Sequence, residues 1–471
     1  MNPEIKETMG VREKFVQVTS IPIPVFHVYA MISLLMIFIF CSIYGLQVLN
    51  PTYTDWLLEG GDLSQHYLGW KAYQASPWTF PIGDTDYLAY PNNTSIIFTD
   101  SIPCFAVLFK LLSPVLPEEF QYFGLWGLLC FVLQGILSAR IIRHFTENRW
   151  ILILSSVLFA LAPVMIWRMY LHTALAGQWV LLLALETVFA CEKYFDNKKI
   201  YCIWFLTGVL ASSIHICFLM MCGMILAGYC ITDIMACKRM KRSAGVLLTY
   251  LVSSGITVGI LGGFSSGFSA EADGLGRYSL NLNGLLNPQG WSRIYRDRAL
   301  YGDGQYEGFA YLGAGCMLLL ILVLVSVMEK WKIREVLKRY SCKAAAITVL
   351  FMMTFVFALS PVVTMGNRVL FTFPLPEKMI QYWSVFRSSG RFVWVVVYLL
   401  MLCSSIVLSK TFSRKMSVGI LLVCIFIQVC DISPVLAEKN RTFDRRVIYE
   451  NQFLKNTEFW SQFSQGGGRG N

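Results

Sequence analysis

Ile102-Pro-Cys-Phe-Ala-Val-Leu-Phe-Lys110-Leu-Leu-Ser-Pro-Val-Leu116 is the stretch on which the fold turns. It is apolar enough for hydrocarbon but shorter than the ~20 residues of a crossing helix. Pro103 and Pro114 interrupt it, and Lys110 puts a charge within it. Were it to cross, the Arg140–Arg149 loop would lie outside and the charge asymmetry of the following loops would invert. Placed in the outer interface as an amphipathic or re-entrant helix, it leaves every basic loop on one side, among them Lys238-Arg-Met-Lys-Arg242 and Lys330–Lys343. The second arrangement obeys the charge rule and is adopted.

Outward from this segment, about eleven apolar runs approach crossing length, near 27–49, 120–141, 150–167, 178–195, 200–217, 218–236, 245–263, 309–328, 344–360, 391–409 and 416–432. An all-α polytopic membrane protein follows. Residues 1–26 form a cytoplasmic N-terminus and 27–432 a transmembrane domain. The outer loops are 50–119, a short second one at 168–178, 264–308 and 361–390, with a short extracytoplasmic tail at 433–471. No cleavable signal pattern precedes the first run, which reads as an uncleaved anchor in the plasma membrane. No repeat of 20–50 residues is visible.

Composition agrees: 56% of the 471 residues are hydrophobic and 14% charged, with a mean hydropathy of +0.55. The net charge of +10 invites a nucleic-acid reading, but its distribution argues against one. Most Lys and Arg fall on the inner side and most acids on the outer, which is the signature of membrane orientation. The 14 cysteines lie mostly within apolar runs without a C-x-x-C pair, as small core residues do.

Chemistry concentrates outside the membrane. Directly after the first run comes Glu59-Gly-Gly-Asp62-Leu-Ser-Gln-His66-Tyr-Leu-Gly-Trp70. Asp62 and His66 are four residues apart and share one face of a helix. Asp100, in Ile96-Ile-Phe-Thr-Asp100-Ser-Ile-Pro103, is either a second site carboxylate or the N-cap of the interfacial helix. Two such acids could divide the work, one accepting a proton from an attacking hydroxyl and the other orienting it or helping to hold a divalent cation. His66 either assists Asp62 or, beside Tyr67 and Trp70, anchors at the interface. Arg168 and His172 lie one helical turn apart, and both are costly there unless solvated or paired. Arg296, Arg298, Arg387 and Arg391 are phosphate candidates because a guanidinium donates two parallel hydrogen bonds, while headgroup snorkelling is the alternative for Arg387 and Arg391. Ionisable groups near mid-membrane are few, chiefly Glu186 and His215, which argues against an ion-coupled transporter.

Gly61-Asp62-Leu-Ser-Gln-His66-Tyr-Leu-Gly-Trp70, Trp78-Thr-Phe-Pro-Ile-Gly83, Phe98-Thr-Asp100-Ser-Ile-Pro103, Phe120-Gln-Tyr-Phe-Gly-Leu-Trp126 and His172-Thr-Ala-Leu-Ala-Gly-Gln178-Trp together resemble a largely uncharacterised bacterial family of GT-C glycosyltransferases. The resemblance covers most of residues 50–400. It implies a GT-C-like fold and sugar transfer from a polyprenyl-phosphate donor to a cell-envelope glycan, lipid or protein acceptor at the extracytoplasmic face, by inverting single displacement. Asp62 would be the base, with Asp100 in support. Members often carry a larger outer C-terminal domain than this chain's tail. Some members of the class use Mg²⁺ or Mn²⁺, and no complete ligand set is visible in the sequence. A lipid-linked glycan flippase and a non-catalytic envelope scaffold are the competing expectations.

Overall fold

The computed structural model describes residues 25–89, 91–191, 198–264, 274–329 and 341–445. The N-terminal segment, most of the basic 330–343 loop and the end of the tail lie outside the described residues. In chain order the helices are α1 (Val25–Tyr44), α2 (Gly61–Ala75), α3 (Pro103–Leu112), α4 (Phe123–Arg143), α5 (Arg149–Ala160), α6 (Pro163–Arg168), α7 (Trp179–Phe189), α8 (Lys199–Ile214), α9 (Ile216–Cys237) and α10 (Met240–Ile260). Then follow α11 (Ala314–Glu329), α12 (Ser341–Leu359), α13 (Glu377–Ser384), α14 (Val393–Thr411) and α15 (Arg414–Asp444). Two antiparallel pairs, β1–β2 (Asp84–Thr85 with Thr94–Ser95) and β3–β4 (Val362–Met365 with Arg368–Thr372), ornament the loops.

The eleven apolar runs each fall on helix. Among the described residues, six helices are long and apolar enough to cross a membrane: α1, α4, α9, α10, α14 with the turn before it, and α15. The apolar helices at Arg149–Ala160, Thr173–Phe189, Lys199–Ile214, Ala314–Met328 and Lys343–Leu359 are shorter. This is an all-α, multi-pass membrane protein. Local signals mark the breaks. Asn148 caps α5 through its Oδ1, which accepts from the amides of Trp150 and Ile151 at 3.0 and 3.3 Å. Pro163 sits at the start of α6.

α3 holds ten residues, about 15 Å of helix, half the thickness of the hydrocarbon layer. Lys110 is not left in apolar surroundings alone. Its ammonium donates to Ser76 Oγ at 3.0 Å and the Pro77 carbonyl at 3.3 Å, and lies 4.0 Å from the centroid of Tyr73. Burial pushes its pKa down to about 8. The opposite face exposes Leu108, Leu111, Leu112 and Val115, so the helix clasps α2 on one side and shows an apolar stripe on the other.

Two expectations need correcting. The tail boundary at 433 falls inside α15, which continues through Pro434 to Asp444. Polar anchoring inside the apolar runs is also richer than Glu186 and His215. Asp431, fully buried on α15, accepts from Tyr311 Oη at 2.7 Å, the Ala314 amide at 2.9 Å and Ser292 Oγ. Gln428, one turn earlier, accepts from the Cys316 amide at 3.1 Å and donates to the Leu161 and Leu312 carbonyls at 3.2 Å each. Together they seat the start of α11 on α15, where unpaired backbone groups would otherwise be stranded. Asp431→Ala strands those donors. It is expected to cost about 3 kcal/mol and to lower the thermal unfolding midpoint in detergent by several degrees, while Val429→Ala on the half-exposed face leaves it within a degree or two.

Candidate functional site

The double glycine Gly60–Gly61 adopts φ of +112° and +69°, a turn that side-chain-bearing residues resist. It places Asp62 in the first turn of α2. Behind it α2 buries His66, Tyr67, Gly69, Trp70 and Tyr73 along one face. Trp70 and Tyr67 are therefore core residues and not interfacial anchors. His66, only 3% exposed, belongs to the interior with them.

Gly69 lets the Asp100 loop approach. A β-carbon there would stand 2.9 Å from Ser101 Oγ and 3.1 Å from Thr99 Cβ. Ser101 Oγ donates to the His66 carbonyl at 2.6 Å, Thr99 Oγ1 lies 2.9 Å from Ser101 Oγ, and Tyr122 Oη donates to the Ser101 carbonyl. These bonds hold Asp100 and Ile102 at φ of +54° and +55°, strain of about 1–3 kcal/mol each that surrounding structure must offset. The N-cap of α3 is Ile102, with no side-chain cap. Asp100 is thus not the cap; it points elsewhere.

It points into a cluster of histidines. His215 sits at the break between α8 and α9, where its Nδ1 accepts the Cys217 amide at 3.0 Å. That fixes the proton on Nε2, which lies 3.0 Å from Asp100 Oδ1. His66 Nε2 is 3.6 Å and His172 Nδ1 3.4 Å from Asp100 Oδ2. The other edge of the His172 ring faces Asp62, with Nε2 3.5 Å from Oδ2. Three of the chain's five histidines converge here. Burial works to raise the Asp100 carboxyl, but His215 first, then His172 and His66, override it and hold it well below the usual carboxylate range. For His66, burial outweighs Asp100 and lowers the imidazole.

Asp62, His66, Asp100 and His172 line one cleft of about 390 Å³, completed by Gln65, Leu68, Gly69, Leu88, Thr94, Phe98 and Thr99. This is a volume suited to a small polar ligand. Next to it lies an ion triad. Glu307, in the turn Asp303–Gly308, accepts Arg391 through Nε at 2.8 Å and Nη2 at 3.1 Å, and Arg168 through Nη2. Burial would raise the Glu307 carboxyl, yet Arg391 and then Arg168 depress it far below its ordinary range. His172 Nε2 is 3.9 Å from Glu307 Oε1, so the triad walls the cluster.

The structure thus gathers Asp62, His66, Asp100, Arg168, His172 and Arg391. It does not gather Arg296, Arg298 and Arg387, which are exposed and absent from the cleft lining. The loop carrying Arg296 and Arg298 is fixed through its backbone, with Asn287 accepting the Arg298 amide at 2.9 Å and donating to the Arg298 carbonyl, which leaves both guanidiniums outward. Arg387 lies over Tyr278, 5.9 Å from the ring centroid. Arg168 is fully buried beneath Trp167, so it braces Glu307 and cannot meet a ligand from solvent. Sequence reasoning passed over Glu307 and His215 as site residues. Their signals were faint: Gly302-Asp-Gly-Gln-Tyr-Glu307-Gly abutting an apolar run, and Ser212-Ser213 interrupting another.

Glu307→Gln leaves two buried guanidiniums without a counter-charge and is expected to cost about 3–5 kcal/mol. Adding Arg168→Met should recover part of that loss, a coupling measurable in thermal unfolding of the two variants against wild type.

Residues 33–433 match a family described as a domain of unknown function, DUF6311, and the chain belongs to that family. No curated protein and no solved structure matches it.

Proposed function

We propose that this DUF6311 member is a GT-C-type glycosyltransferase that moves a sugar from a polyprenyl-phosphate donor to an acceptor hydroxyl. In this reading all eleven apolar helical passes cross the plasma membrane. The N-terminus is cytoplasmic, α15 ends on the outside, and α3 rests in the outer interface. Charge supports the orientation. The end of the bundle opposite the cleft carries Arg140, Arg143, Lys199, Lys238, Arg239, Lys241, Arg242, Lys410, Arg414 and Lys415.

One observation carries the proposal: two loop carboxylates, Asp62 and Asp100, flank opposite edges of the His172 ring in a single cleft. They are close enough to serve one acceptor. Their surroundings differ. The Asp100 carboxylate is committed to His215, His66 and His172, which suits orientation. Asp62, 45% exposed in its side chain, is the one an incoming hydroxyl can reach. Its carboxylate takes the hydroxyl proton as the oxygen bonds to the anomeric carbon. The bond from that carbon to the phosphate oxygen breaks, and polyprenyl phosphate departs with inversion. Arg391 and Arg168 share one carboxylate, leaving one net positive charge beside the cleft to balance the departing phosphate.

An apolar groove of about 500 Å³ supports an isoprenoid donor. Thr348, Val349, Met352, Met353, Val356 and Phe357 of α12 line it with Trp383 of α13. The Phe357 ring lies tilted, its centroid 4.3 Å from that of Phe392, next in chain to Arg391, so a tail in this groove would bring its phosphate toward the ion triad. Transport is supported less well. A second polar cavity, about 500 Å³ beside Arg140, Arg143 and His144, lies at the far end of the bundle. Phe159, Trp394, Tyr398 and Leu402 are fully buried within the bundle, and none of them lines either cavity.

The test is transfer by the purified protein in proteoliposomes supplied with polyprenyl-phosphate sugars. Asp62→Asn is expected to cut turnover at least about 10²-fold with little change in unfolding midpoint, since the side chain is half-exposed. Undiminished transfer by Asp62→Asn would remove the mechanism.

A further inference from the structure

The contacts to Asp100 fall into two kinds. His215 Nε2 stands 3.0 Å from Oδ1, an ordinary hydrogen bond. On the other oxygen, His66 Nε2 and His172 Nδ1 stand at 3.6 and 3.4 Å, and His172 Nδ1 is buried with no hydrogen-bond partner. His66 is 3% exposed, and its Nδ1 is likewise unpartnered. A buried ring nitrogen aimed at a carboxylate without a hydrogen bond, as His172 Nδ1 is, is costly unless something lies between them.

The spacing fits a shared cation. Bonds of about 2.0–2.2 Å from nitrogen and carboxylate oxygen, opened at the tetrahedral angle, leave donor atoms about 3.3–3.6 Å apart. His66, Asp100 and His172 each offer one donor atom, and these atoms lie within 4.8 Å of one another. The surroundings of His172 and Asp100 suit such a site, while His66 Nδ1 has no partner behind it. With His172 Nδ1 given to a cation, the ring proton sits on Nε2, which faces Asp62 Oδ2 at 3.5 Å. Asp100 would give Oδ2 while Oδ1 accepts from His215 Nε2–H, whose tautomer the Cys217 amide fixes. Carboxylate partners behind ligating histidines orient them in this way.

We infer that His66, Asp100 and His172 form a binding site for one divalent transition-metal cation, zinc foremost, with a coordination position left toward the cleft. Two imidazoles and one carboxylate suit Zn²⁺ and its neighbours in the first row. They suit Mg²⁺ poorly, since it demands oxygen donors. Three protein donors with one place open is the arrangement of reactive rather than purely structural zinc sites. The inference stands on geometry and does not require that the substrate be a sugar.

The experiment is metal content of the full chain, purified through a tag without histidine, loaded with Zn²⁺ or Mg²⁺ and passed through gel filtration before elemental analysis. About one zinc per chain is expected, no retained Mg²⁺, and at least tenfold less zinc in His66→Ala and His172→Ala, with His144→Ala unchanged as a control outside the cluster. Co²⁺ loaded into wild type should show the intense visible bands of a four-coordinate site with nitrogen donors, a reading that needs no variant to fold. Wild type retaining less than a tenth of an equivalent, weak six-coordinate Co²⁺ bands, or equal zinc in wild type and folded His66→Ala would overturn the site. Zinc binding with Asp62→Asn still fully active would instead leave the site standing and remove the proposed transfer mechanism.

Discussion

A single carboxylate between two buried guanidiniums organises the loop end of this bundle. Glu307 is 4% exposed in its side chain, and Arg168 and Arg391 are 0% and 11% exposed. Taking three such charges out of water costs several kcal/mol each, and only close, multiply bonded geometry offsets that. The bidentate grip of Arg391 and the third bond from Arg168 supply it. The three residues come from three distant parts of the chain: the end of α6, the loop before α11 and the turn before α14. Joining them closes the segment carrying Glu307 over the helix ends and gives His172 a fixed wall. A cleft whose polar members keep a fixed geometry needs such support.

The cleft is built against local preference. Asp100, Ile102 and Tyr170 all take φ near +55° to +61°, a region that Asp enters more readily than most residues but that resists Tyr and above all a β-branched Ile. No local signal would place them there. The hydrogen bonds of Ser101, Thr99 and Tyr122 impose the first two, and the chain turn between α6 and His172 carries the third. Strain gathered around one carboxylate and one imidazole, inside a bundle otherwise made of regular apolar helix, marks where packing alone does not dictate the backbone.

That contrast also explains what could be read from the sequence. The apolar helices were legible because crossing length and hydropathy are local properties. So was the shortness of α3, since Pro103 and Pro114 bound it. Asp62 and Asp100 stood out as acids beside glycine or proline at the edge of apolar runs, and the cleft contains both. The surroundings of the arginines were not legible, because a guanidinium's partner is decided by tertiary contact. Arg391 and Arg168 proved committed to Glu307, while Arg296, Arg298 and Arg387 face outward. His215 was read as a mid-membrane group, yet it caps a helix break that Ser212-Ser213 only faintly announces. Asp431 was hidden at the margin of an apolar run, and its purpose, seating α11 on α15, depends on residues more than a hundred positions away.

The two cleft carboxylates cannot exchange roles. Asp100 is bound by His215 through one oxygen and approached by two further imidazoles through the other, so protonating it would discard the attraction that offsets its burial. It is a fixed negative charge. Asp62 has one neighbouring imidazole, a helix start behind it and open space beside Gly60 and Gly61. An incoming group meets no side chain on the glycine side. One carboxylate is thus held and the other left approachable by position alone, with His172 between the two. The same division follows whether the cleft admits a sugar or another polar ligand, because it arises from burial and partner count and not from the substrate.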